Sequence, residues 1–294
     1  MVNAKMVTLK SGRTKKVQEL NYINKRGEEK TKEIILDTFK GLAITRDSVS
    51  KLTDEKDSKH IFYTFSILGD GVMDMLKACG YDNHRLNNHS ELKGGLCPNA
   101  TEMCKGTCYN NKIFYDGVIN SKINNLLLSL QDNFIVLFVE TFKKILKKDK
   151  KKNDGKKIYV RLHVDGEIYS LNYLTKLVDI TRYFPSVNFF TYTKSFDILG
   201  RFLKNDSLTD NLNIMLSVYN DISDSDIDKV RAFCQRDFKI FKGRLTERQE
   251  ERLSKTYKIN KEVDKLKVDK KCLMACNKCL YCVYGKQDIE IVLH

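Results

Sequence analysis

Between residues 158 and 242, short apolar runs and helical runs take turns. The segments 158–164 (IYVRLHV), 188–193 (NFFTYT), 212–218 (LNIMLSV) and 238–242 are brief and rich in β-branched and aromatic residues. The segments 171–183, 196–203 and 225–234 carry helical spacing, the last introduced by the capping run Ser223-Asp224-Ser225. Strands joined through helices need crossover connections, and a crossover returns the chain in the same direction, so this alternation predicts a parallel sheet. Residues 289–293 supply a last strand, and no internal repeat interrupts the pattern.

The strands are not uniformly apolar, as strands covered on both faces normally are. Val160, Leu162 and Val164 share one face of the first, and Tyr159, Arg161, His163 and Asp165 share the other. The third repeats this, with Leu212, Ile214, Leu216 and Val218 opposite Asn213, Met215, Ser217 and Tyr219. Either an open sheet with a solvated face or a barrel with a reaction site in its upper interior would explain the pattern. The fold expected is α/β, a partial or complete parallel (βα) barrel with an irregular N-terminal arm and Cys-rich metal-binding segments. Arg161, His163, Asp165 and Glu167 stand at a strand's carboxyl end, and Lys194 and Ser195 end the next. As a site, His163 with Asp165 or Glu167 would supply acid–base chemistry, while Arg161 and Lys194 would bind an anionic group such as phosphate. As plain structure, the same residues would form a buried ion-paired network that fixes strand packing.

Residues 1–60 are polar and lysine-rich, with one amphipathic stretch around Ile34, Leu36, Phe39 and Leu42. They read as a basic arm or helical cap before a barrel-like domain at 61–294. Residues 60–79 regain apolar content, Gly80 stops a helix, and 81–111 read as a long loop in need of support. Phe134, Leu137, Phe138, Thr141, Phe142 and Ile145 mark one face of a long helix, followed by a basic linker at 147–157. Aromatics at 10% and hydrophobics at 41% exclude disorder for most of the chain. No run of about 18 apolar residues exists to span a membrane. The basic start lacks a signal-peptide core, which places the chain in the cytoplasm of its cell. The formal net charge of +14 points to a polyanionic partner, nucleic acid before membrane. A P-loop, a GxSxG elbow, an HExxH helix and a Rossmann fingerprint are all missing.

Nine cysteines in a cytosolic chain point to thiolate chemistry rather than disulfides. Cys272, Cys276, Cys279 and Cys282 pack four thiols into eleven residues, a run that can wrap one metal centre. Thiols this close lean towards an iron–sulfur cluster (4Fe-4S) over zinc. Cys97, Cys104 and Cys108 form a second set, three thiolates fitting a metal with one open or borrowed position. Cys79, His84, His89 or His294 could be the fourth ligand. Cys79 and Cys234 sit on helical stretches and read as small buried hydrophobes.

The order LCPNATEMCKGTCYNN, YVRLHVDGEIYSLNYL, FPSVNFFTYTKS and a tail CxxxCxxCxxC, closing on an apolar strand and His294, resembles the phage gene-product-88 family over roughly residues 88–294. The resemblance implies a mobile-element origin and a loose link to replication. It carries over Cys97, Cys104, Cys108, Tyr109, Arg161, His163, Gly166, Tyr192, Thr193, Lys194, the four tail cysteines and His294, with Tyr109 and Tyr192 as cofactor-binding positions. Glu167 departs from the aspartate expected after the glycine. The chain is also distantly similar to radical S-adenosylmethionine enzymes, since Cys272, Cys276 and Cys279 have the three-and-two spacing those enzymes use, though late in the chain. That similarity implies S-adenosylmethionine as a cofactor. Three functions follow as expectations: a metal-dependent enzyme acting on nucleic acid or nucleotides, a non-catalytic zinc-stabilised nucleic-acid-binding protein, and a replication-initiator-like nickase.

Overall fold

A computed structural model describes residues 4–8, 14–23, 27–37, 41–46, 59–106, 108, 116–272 and 280–292. The alternation resolves into an eight-stranded sheet. Its strands are β4 (Ile44–Arg46), β5 (His60–Phe65), β6 (Lys157–Leu162), β7 (Val187–Thr193), β8 (Leu212–Val218), β9 (Ile240–Arg244), β10 (Lys270–Lys271) and β11 (Ile289–Val292). They lie in the order β10-β11-β9-β8-β7-β6-β5-β4, and every pairing is parallel except that of edge strand β4 with β5.

The helices are α1 (Asp70–Ala78), α2 (His84–Asn87), α3 (Glu102–Gly106), α4 (Asp116–Ser129), α5 (Phe134–Lys148), α6 (Lys150–Asn153), α7 (Leu171–Arg182), α8 (Phe196–Phe202), α9 (Asp224–Cys234), α10 (Glu247–Leu253) and α11 (Tyr281–Tyr284). Ser170 and Ser223 accept from the backbone of Tyr173 and Asp226 and so cap α7 and α9. No helix among the described residues is long and apolar enough to cross a membrane.

The N-terminal segment is neither irregular nor helical. It is an antiparallel three-stranded sheet, β1 (Ala4–Thr8), β2 (Thr14–Ile23) and β3 (Glu29–Ile35), in that order. Lys5 reaches across the ribbon to Glu19 and Glu33, and Val17, Leu20, Ile34 and Ile35 are buried against the body. Ile34 therefore alternates along a strand, and Phe39 lies outside the described residues. Three asparagines on α4 fasten this layer: Asn120 to the Ile35 N–H and Glu33 carbonyl, Asn124 to the Gly41 carbonyl, and Asn125 to Ala43 and Ser66. Local helical spacing loses here to tertiary hydrogen bonds that the 1–60 sequence does not contain.

Two cores flank the large sheet. On the outer face Tyr63, Phe65, Val160, Leu162, Phe189, Ile214 and Leu216 meet the aromatic row Phe134, Phe138 and Phe142 of α5 together with α7 and α8. On the inner face Phe62, Tyr159 and Phe190 form a smaller core closed by Val283 of α11. Asn213 donates to the Cys282 carbonyl, and Gly285, at φ +55°, packs against the same asparagine. Residues 280–285, which carry Cys282, thus lie over the sheet's inner face.

Candidate functional site

Parallel strands aim their carboxyl ends at one edge of the sheet, where the following loops gather. The loop after β5 begins at Ser66, and Gly69 precedes α1 as its N-cap. The Asp70 carboxylate accepts the N–H groups of Leu96 at 2.6 Å and Cys97 at 3.0 Å, and the Asp70 N–H points back to the Cys97 sulfur. A Cβ on Gly69 would lie 3.5 Å from Cys97 Sγ and 3.6 Å from the Gly166 nitrogen, so the β5 loop, the β6 loop and the cysteine segment meet at one point. Burial pushes the Cys97 thiol far up, with the charges of Asp70, Glu167 and Cys104 adding to it.

Asp221, after β8, accepts from Thr101 Oγ1 at 2.7 Å and the Met103 N–H at 2.8 Å. Thr101 Oγ1 in turn accepts the Cys104 N–H at 3.2 Å, so the start of α3 is held from the opposite strand end. Cys104 Sγ forms a hydrogen bond with the Lys194 ammonium. Lys194 also donates to Ser217 Oγ at 3.2 Å and sits 3.9 Å from the centre of the Tyr219 ring. Burial alone would lower its pKa, but the charges of Cys104, Tyr219 and Glu167 together raise it, so Lys194 stays cationic.

A second ammonium, Lys122 of α4, lies within reach of the charge of Cys108 and is in contact with the buried carboxylate of Asp165. Burial pulls Lys122 down to about 8, and the Cys108 charge opposes that. Asp165 Oδ1 is buried and accepts no hydrogen bond. Glu167 is saturated by its own chain: it accepts from Ile168 N, Lys194 N and Thr193 Oγ1 at 2.7, 2.9 and 2.7 Å. Burial raises its carboxyl pKa against those donors. Its carboxylate clasps the β6 loop to the end of β7.

His163 departs from the face expected for it. Strand β6 ends at Leu162, and His163 adopts φ +58°, which breaks the two-residue alternation. Its ring turns to the helix side, with Nδ1 3.1 Å from Thr191 Oγ1 and Nε2 2.8 Å from the Tyr173 hydroxyl. Burial pushes its pKa down to about 3. Arg161 keeps the inner face, its guanidinium carbon 5.2 Å from the Tyr192 ring centre.

The structure therefore brings Cys97, Cys104, Cys108, Asp165, Glu167 and Lys194 to one edge, turns His163 away, and sets Arg161 and Tyr192 below them on the sheet. Among the described residues no three His, Cys, Asp or Glu side chains close around a common point as metal ligands would. Two lysines lie near these thiols: Lys194 hydrogen-bonds Cys104, and Lys122 feels the charge of Cys108. Cys272 anchors its N–H on the Glu290 carbonyl at 2.7 Å, and Cys282 rides on α11. Tyr109, Cys276, Cys279 and His294 lie outside the described residues. Of the other ligand candidates, His89 uses Nδ1 to accept from the Glu91 N–H, and His84 is exposed at the start of α2. Cys79 and Cys234 pack against the main core.

Sequence reasoning missed Asp70, Lys122 and Asp221. A signal existed for the first, since Asp70 stands between two glycines and Gly95 takes φ +88° to let its carboxylate approach. Residues 48–285 match the model of a family described as Gene product 88. No curated protein and no solved structure matches the chain.

Proposed function

The chain belongs to the gene product 88 family, and from that premise we propose a metal-dependent enzyme that acts on nucleic acid or nucleotides. In this reading β5 to β9 and β11 form an incomplete barrel, and its reaction edge is the rim carrying Cys97, Cys104 and Cys108. These three thiols would hold a metal centre with one position left for a ligand, an iron–sulfur cluster in preference to zinc. Such a centre supplies one-electron chemistry to a bound cofactor such as S-adenosylmethionine. The tail thiols Cys272, Cys276, Cys279 and Cys282 would hold a second, structural or auxiliary centre.

The observation that carries the reading is the hydrogen bond between Lys194 and Cys104, with Lys122, itself in contact with Asp165, near enough for the charge of Cys108 to act on it. Inert buried thiols need no cations, whereas thiolates gathered on a metal do. Asp165, with an oxygen that accepts nothing, is the group on this rim left to take a proton or a donor. Glu167 and His163 act by position: one holds the rim together, the other braces the strand beneath it.

Anaerobic elemental analysis tests this. Wild type should carry iron and absorb in the visible range, and replacing Cys97, Cys104 and Cys108 together should remove part of that iron and leave the tail's share. Wild type without metal, or an unchanged metal content in the triple variant, would overturn the proposal.

A second reading, a non-catalytic nucleic-acid-binding protein stapled by zinc, draws on a different place. Between α8 and α9 lies a hollow of about 380 Å³ floored by Phe196, Gly200 and Phe233. Arg201, Lys204 and Arg236 on its rim are exposed and have no carboxylate partner among the described residues. Colourless protein containing only zinc would favour this reading.

A further inference from the structure

Among the described residues, Arg161 is a cation on the inner face without a counter-charge. Its Nε is buried and has no hydrogen-bond partner, and its guanidinium makes no ion pair among the described residues. The neighbours at its level are Thr64 on β5 and Phe190 on β7, with Asn213 beyond on β8. None is acidic. The nearby carboxylates are committed elsewhere, Asp165 to Lys122 and Glu167 to the backbone and hydroxyl of Thr193, Lys194 and Ile168. Lys194 belongs to Cys104 and Ser217. The pair of cations that the sequence suggests for one anion is therefore divided, one for the thiols and one without a counter-charge.

Arg161 as a whole is half-buried, but its Nε is drawn out of water with nothing to donate to, which is costly unless a ligand supplies an acceptor. The cation–π contact with Tyr192, 5.2 Å from the guanidinium carbon to the ring centre, holds the group and leaves N–H groups to grip an oxyanion in two-point fashion. The aromatic rings of Tyr192, Phe190 and Phe241 line the same face. We propose that Arg161, braced by Tyr192, seats a phosphate group of the substrate, carried either on a mononucleotide or on a nucleic-acid strand. The proposal rests on the nucleic-acid or nucleotide reading above for its substrate and does not require a bound metal.

Binding of adenosine 5′-monophosphate and of adenosine, each measured calorimetrically on the purified full chain, tests it. A tetrathymidylate with and without a 5′-phosphate is measured in parallel. In wild type the phosphorylated member of at least one pair should bind tenfold or more tightly than its partner, and the pair showing the gap identifies the source of the phosphate. Arg161→Gln should erase the gap, and Arg161→Lys should keep part of it, since charge survives and the fork does not. Metal content, measured on the same preparations, should be unchanged by either substitution, which separates failure of this seat from failure of the metal reading. No gap in wild type for either pair would overturn the proposal, as would an undiminished gap in Arg161→Gln. Should the glutamine variant not fold, an undiminished gap in Arg161→Lys would overturn it, and a gap reduced at least threefold would support it.

Discussion

Asp70 and Cys97 hold each other from both sides: the carboxylate takes the Cys97 N–H at 3.0 Å, and the Asp70 N–H faces the Cys97 sulfur. The clasp joins the start of α1 to a segment twenty-seven positions later and fixes where the first rim thiol sits. Asp70→Ala removes a charged acceptor from two backbone N–H groups, those of Leu96 and Cys97. Stability should fall by about 3 kcal/mol in urea unfolding, with Asp70→Asn losing less because one acceptor oxygen remains. Iodoacetamide labelling of Cys97 in the folded protein should quicken in the alanine variant. Unchanged labelling and stability would show that the clasp does not position the thiol.

Gly166 sits at φ +81°, and a Cβ there would come within 2.4 Å of Ile67 Cγ1 and 3.0 Å of the Ile67 carbonyl oxygen. Because the closest fixed atom is backbone, the neighbour cannot simply rotate away. Gly166→Ala should destabilise by more than 3 kcal/mol, combining left-handed strain of about 1–2 kcal/mol with displacement of the β5 loop. Gly80, at φ +87° with nothing within 4 Å of its added Cβ, is the internal comparison. Gly80→Ala should lose only about 1 kcal/mol. Equal losses in urea unfolding would mean that close approach contributes nothing at Gly166.

The same two glycines show what could be read from sequence and what could not. Gly80 follows a helix of apolar period, so its role as a stop is a local signal. Gly166 is demanded by Ile67, ninety-nine positions earlier, and no local pattern reveals that. The strands β6 to β8 and their helices were legible for the same reason as Gly80, since period and capping are short-range. The N-terminal sheet was not, because Asn120 of α4 holds its strand β3 from eighty-five positions away. His163 was misplaced because a single left-handed residue ends the alternation that placed Arg161 correctly. The cysteines could be counted from sequence and Lys194 named as an anion binder, but Lys122 and the contact of Lys194 with Cys104 could be found only in three dimensions.

Buried and neutral, His163 makes a signed contribution to acid stability. Its folded pKa is about 3 against 6.5 when exposed, so between these values the unfolded chain binds a proton that the folded chain refuses. The stability it contributes is fully present above about pH 6.5 and is lost progressively as pH falls towards 3. Glu167, whose carboxyl pKa is raised by burial, acts in the opposite sense over its own range. Comparing wild type with His163→Asn cancels that contribution, and asparagine tolerates the φ of +58°. Below pH 6.5 wild type should lose up to about 1.4 kcal/mol per pH unit more than the variant. Parallel unfolding curves from pH 7 to 4.5 would contradict the neutral, buried assignment.

The α8–α9 hollow gives the nucleic-acid reading a quantity to measure. Lys229 on its rim is engaged with Asp197 and Asp226, which leaves Arg201, Lys204 and Arg236 as the cations without carboxylate partners there. Each phosphate contact releases condensed counterions, so affinity for DNA falls with salt at about 0.7 logarithmic units per contact on single strands and about 0.9 on duplex. If a strand lies along this groove, replacing the three cations by glutamine should lower the slope of log K against log salt by about 2 on single strands and somewhat more on duplex. The surviving affinity should be weaker by a similar factor on every sequence tried, because phosphate contacts carry no base information. Lys229→Gln serves as the comparison, since its charge is already neutralised within the chain. An unchanged slope in the triple variant would move the strand off this groove. A slope reduced equally by the lysine substitution alone would mean that Asp197 releases its partner when DNA arrives.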